Sequence, residues 1–283
     1  MLASWFIAIS TLRLAVLQHT LVGFDGRLYR SATMAWLAGG DPWKVSFQGV
    51  YYAAPPPSLL PFVPLTWLPE DVAIAILIGL CVVASVILLR RVGLPLWWLA
   101  FPPLVDGIWN ANVHVLVAPL LLLGLAPLAG VLKVYALAVP TIHGEWKSIA
   151  LSGLVLVATI PILPWGTFLN ELPAIVSQLS TQSRGGLSVT GFPPPAAAAL
   201  AVLAGAAIFI VGRERGAWFA VPVLWPSTQW YYSSTAIPGA SSLAALVLAV
   251  PIGGGAFLAL MVLAVETVVR RRSAMSRSSE PAG

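Results

Sequence analysis

Charge is what this chain has least of. Only 9% of its 283 residues are Asp, Glu, Lys or Arg, against about 25% in a soluble domain. With 59% hydrophobic residues and a mean hydropathy of +0.90, the composition excludes an ordinary water-soluble fold and points to a polytopic membrane protein. Cysteine is nearly absent as well. The single Cys81 lies in an apolar run, which excludes an intramolecular disulfide and any metal-type cysteine spacing. The net charge of +5 does not amount to a nucleic-acid surface, because the basic residues stand singly or at the ends of apolar runs, where they orient helices in a bilayer. Low-complexity linkers, internal repeats and a soluble domain are also missing. The apolar N-terminus has neither a basic leader nor a small-residue cleavage site, so a retained first span is expected.

What is present is a series of charge-poor intervals, at 72–89, 107–132, 148–170, 185–212 and 216–265. A helix needs about 20 apolar residues to cross the hydrocarbon core. With a first helix over 2–22 and shorter segments at 55–69 and 94–106, the pattern predicts an all-α polytopic membrane protein of about ten transmembrane helices in one domain, 1–283. Its extramembranous parts are an extracytoplasmic loop at 22–56 with an amphipathic interfacial helix, a second extracytoplasmic loop at 169–192, and a cytoplasmic tail at 270–283. A cytoplasmic N-terminus puts Lys147, Arg213, Arg215 and the arginines from 270 to 272 inside but leaves Arg90 and Arg91 outside, against the positive-inside rule.

The polar groups concentrate in DGRLYRSATMAWLAGGDPW, residues 25–43, and the YYAAPPPSLLPFVPL segment after it. Asp25, Tyr29, Ala32 and Trp36 recur at helical spacing beside Arg27 and Arg30, which predicts a short helix lying on the membrane. Gly39, Gly40, Asp41 and Pro42 end it with turn chemistry. Asp25 at the water boundary can serve as a general base; it can equally cap the helix. Arg27 and Arg30 are candidate phosphate ligands, because guanidinium forks match phosphate oxygens; anionic lipid headgroups are the alternative. Tyr29, Tyr52 and Asp41 are candidate substrate contacts, although Asp41 also suits a turn. Tyr51, Trp43 and Trp67 offer sugar-stacking surface or an aromatic belt. Arg13, His19, His114 and Lys133 are ionisable groups in apolar surroundings, and such groups face a protein interior or an aqueous cavity.

The order Asp25, Tyr29, Ala32, Gly39, Asp41, Pro42 and Trp43, followed by Tyr52, Pro56, Pro57, Pro64, Leu65, Leu68 and Pro69, resembles the membrane glycosyltransferases of the GT-C class. It is most similar to the polyprenyl-phosphate-mannose-dependent α-(1,2)-mannosyltransferases, glycosyltransferase family eighty-seven. GIWNANVHVL and LKVYALAVP look like later segments of that family. In WPSTQWYY, Tyr231 stands where the family has histidine, and the chain is shorter than most members. The resemblance implies a multi-pass plasma-membrane enzyme acting on the extracytoplasmic face. It would use a polyprenyl-phosphate sugar, mannosyl by the family resemblance, as donor substrate, with no cofactor, no metal demanded and no nucleic-acid partner. The acceptor would be a glycolipid or cell-envelope glycan. Asp25 would be the base, Arg27 and Arg30 would hold the donor phosphate, and Tyr29, Asp41, Tyr52, His114, Lys133 and Tyr231 would contact substrate. Two other classes fit the composition: a transporter or lipid-carrier translocator, and a truncated relative without activity.

Overall fold

A computed structural model describes residues 1–17, 21–182, 188–226 and 229–278. It is almost wholly helical; the one sheet among the described residues is a hairpin of two-residue strands, β1 (Ser46–Phe47) and β2 (Val50–Tyr51). The expectation of about ten crossings is corrected. Among the described residues, two helices are long and apolar enough to cross a membrane, Glu70–Arg91 and Pro194–Val211. Proline and glycine are the reason. A proline inside an apolar run removes a helix hydrogen bond and restricts the residue before it. The 94–141 region is accordingly divided into short pieces around Pro102, Pro103, Pro119, Gly124 and Pro127, none longer than ten residues.

Helix α1 (Leu2–Leu17) leads to α2 (Phe24–Leu37), the helix the amphipathic pattern predicts. Gly23 starts α2 with φ +76°, a left-handed backbone that favours glycine. Its N–H donates to the Trp109 carbonyl (2.8 Å). A Cβ here would lie 2.2 Å from Ile74 Cγ2. The proline-rich segment then forms 3-10 turns over Pro56–Trp67 that pack along α2. Phe62 and Leu59 are buried there beside Leu28, Tyr29 and Tyr52.

Helix α3 (Glu70–Arg91) follows, with Glu70 and Asp71 both ion-paired to Arg27 of α2. The chain therefore returns to the end of α2 that carries Arg27. At 1.5 Å per residue α3 is about 33 Å long, so Arg90 and Arg91 sit at the opposite end from Asp25. Helix α4 (Pro102–Trp109) packs between α1 and the turns Trp230–Ala236. Two further expectations change. The 169–192 segment is helical as far as Gln182, within Trp165–Gln182, and the 270–283 tail continues the helix Gly255–Ser278. Residues 188–192 hold a 3-10 turn, Val189–Gly191, while 183–187 and 279–283, like His19, lie outside the described residues.

Candidate functional site

A cavity of about 480 Å³ opens between α2, the β1–β2 hairpin, α4 and the Trp230–Ala236 turns. That volume is in the range of a small-ligand site. Asp25 sits in its wall because α2 begins against α4: the Asp25 and Gly26 N–H groups both donate to the Asn110 carbonyl, at 3.0 and 3.3 Å. Asn112, buried in the adjacent chain, donates from Nδ2 to Asp25 Oδ2 (2.7 Å). Its Oδ1 accepts from the His114 backbone N–H (2.8 Å) and starts the 3-10 turn Val113–Leu116. Both ends of one amide thus link the turn to the carboxylate.

Lys133 enters from an extended residue between the helix Ala126–Leu132 and the turn Val134–Leu137. Its ammonium donates to the Tyr29 hydroxyl and stands 4.9 Å from the centre of that ring. Burial raises the Asp25 carboxyl above its ordinary value. The Asn112 hydrogen bond and the Lys133 charge work against that shift, and Asp106 adds to it. A carboxylate so placed is a stronger base than an exposed one, and it lies in a wall that also carries a cation.

Of the expected site residues, Asp25, Tyr29, Tyr52, Lys133 and Tyr231 line the cavity together. The Tyr52 hydroxyl meets Ser58 Oγ (2.6 Å), and its ring stands edge-on to Tyr29. The Tyr231 ring stacks on Tyr232 at 5.0 Å. Tyr51 lines the cavity too, whereas Trp43 is buried behind Tyr52 and Trp67 is exposed away from it.

Four expected contacts fall elsewhere. Arg27 bonds the Val22 carbonyl, Glu70 and Asp71. Arg30, buried, gives its N–H groups to the carbonyls of Leu65 (3.1 Å) and Leu68 (2.8 Å). Neither arginine lines the cavity: Arg27 is held by the carboxylates at the start of α3, and Arg30 by carbonyls that the end of the proline-rich turns leaves unpaired. Asp41 caps the turn Pro42–Lys44 by accepting from the Trp43 N–H (2.9 Å). His114 stands behind the wall, with Nδ1 2.8 Å from the Tyr135 hydroxyl and Nε2 3.2 Å from the Tyr232 carbonyl. It supports Tyr135 and Tyr232, which do line the cavity.

Sequence reasoning missed Asp106 altogether and did not assign Arg13 a role. Arg13 Nε and Nη2 both reach Asp106 Oδ1, at 2.8 and 2.7 Å, and both residues line the cavity. The signal was available, since each is a lone charge in an apolar stretch and such charges pair with one another. Among the described residues no three His, Cys, Asp or Glu side chains come together as a metal-holding group. Compared with family models, curated proteins and solved structures, the chain finds no match.

Proposed function

We propose that this cavity is the active site of an integral membrane glycosyltransferase. It moves a sugar, mannose by the family resemblance, from a polyprenyl-phosphate donor to a lipid-linked or cell-envelope acceptor. The observation that carries the reading is Asp25: a carboxylate in the cavity wall, held by Asn112 and accompanied by Lys133. In the reaction an acceptor hydroxyl oxygen attacks the sugar C1 and its proton passes to Asp25. The bond from C1 to the phosphate oxygen breaks, and the phosphate leaves with the electron pair. One carboxylate suffices for this inverting step, because a phosphate leaves without the acid that glycosidases use to protonate an alkoxide. Lys133 lies where it compensates negative charge as the phosphate departs.

The site end of α3 is the extracytoplasmic end in this reading, so Arg90 and Arg91 fall on the cytoplasmic side of the plasma membrane, as the positive-inside rule asks. Transfer from radiolabelled polyprenyl-phosphate mannose to membrane acceptors tests the proposal. Asp25→Asn, folded to the same thermal midpoint, is expected to lose activity by about 10²-fold or more. Full transfer by that variant excludes Asp25 as the base.

A further inference from the structure

The geometry points to Arg13 as the residue that contacts the phosphate of a lipid-linked ligand in this cavity, with Asp106 positioning its guanidinium. This rests on the reading of the cavity as a site for a lipid phosphate. Arg13 is the only charged residue of α1, so a helix that is otherwise uncharged delivers one cation into the cavity wall.

Three features separate it from a simple tether. Nε and Nη2 converge on the same Asp106 oxygen, which fixes one edge of the guanidinium and leaves other N–H groups of its five-donor fork to be used. Its carbon lies 5.6 Å from the centre of the Trp230 ring, and the ring fixes one face as well. About a third of the side chain (32%) stays open, whereas Asp106 is 2% exposed. The pair thus has a closed side and an open one, and the open one is cationic.

Elimination leads the same way. Arg27 and Arg30 are committed to carboxylates and carbonyls outside the cavity. Lys133, the other cation in the wall, bonds Tyr29 beside Asp25 and keeps its charge-compensating role. A phosphate that enters meets a guanidinium already oriented, which is the arrangement that makes charge-assisted hydrogen bonds strong and selective.

The test is binding, independent of sugar transfer. Detergent-solubilised full-length protein is titrated with farnesyl phosphate, with farnesol as the uncharged control and with short-chain phosphatidylglycerol as a membrane-headgroup control. Wild type is expected to prefer farnesyl phosphate over both controls. Arg13→Gln should weaken farnesyl phosphate by about tenfold or more, the loss of one charge-assisted contact, and leave farnesol unchanged. Arg27→Gln should bind as wild type does. Asp106→Asn should weaken phosphate binding by a smaller factor, and Arg13→Lys, which keeps the charge should Arg13→Gln not fold, should fall between wild type and Arg13→Gln. Unchanged phosphate affinity in folded Arg13→Gln or Arg13→Lys overturns the assignment. So does equal binding of phosphatidylglycerol, which would make this a headgroup site. Wild-type protein that binds farnesyl phosphate through Arg13 yet transfers no sugar would leave this inference standing and sink the transferase reading.

Discussion

At the scale of single residues, the site depends on how one carboxylate is kept usable in a poorly solvated wall. Asp25 must be ionised to take a proton, and burial opposes ionisation. Transfer is therefore expected to fall as pH drops through a value above the ordinary carboxylate range. The Asn112 hydrogen bond favours the charged form, so Asn112→Leu should move the acid limb of the rate profile to higher pH. Lys133→Met should move it in the same direction, by removing a compensating charge. An acid limb at the same pH in wild type and Asn112→Leu would show that some other group limits the rate. At this scale the sequence was a partial guide. Asp25 was legible because a lone carboxylate after an apolar run needs a reason to be there. Arg27 and Arg30 looked equally purposeful, and nothing in their spacing shows that the carbonyls of the proline-rich turns and the carboxylates of α3 claim them first.

At the scale of elements, the site is assembled where α2 begins against the end of α4. Gly23 makes that junction: its left-handed backbone turns the chain, and the absence of a Cβ lets Ile74 of α3 approach. Gly23→Ala is expected to destabilise the protein by about 1–3 kcal/mol, from backbone strain together with a steric overlap, and to lower its thermal midpoint. An unchanged midpoint would mean that the junction tolerates a Cβ and that Gly23 is not what sets it. Helix α2 was legible in the sequence, since an amphipathic repeat ends at Gly-Gly-Asp-Pro. The 3-10 turns over Pro56–Trp67 were not. Proline spacing excludes a regular helix without saying what replaces it, and the replacement is decided by packing against α2. The helix Trp165–Gln182 was hidden by its polar residues, which read as loop until Glu171 is seen paired with Lys44 at 3.5 Å.

At the scale of the molecule, apolar length in the sequence overstated the number of crossings, because short helices joined by proline and glycine look continuous in a hydropathy count. The ends of α3 carry the decisive information. Asp71 is held beside Arg27 at the site end, and Arg91 lies some twenty residues away at the other. Cys81 is the only cysteine and is buried, so a Cys81→Ala background gives a clean labelling test. A membrane-impermeant maleimide should modify Asp71→Cys in intact cells, and Arg91→Cys only after permeabilisation. Labelling of both from outside would contradict an α3 that crosses with its site end outward.

The amide of Asn112 has one further consequence, for the direction from which Asp25 can be reached. With its oxygen committed to the His114 N–H, the amide turns N–H, and not C=O, toward Asp25 Oδ2. A proton arriving on Oδ2 would face that N–H, so in the proposed reaction the proton lands on Oδ1. The acceptor hydroxyl is thereby directed to the edge of the carboxylate away from Asn112, by a backbone turn more than eighty residues along the chain from the base itself.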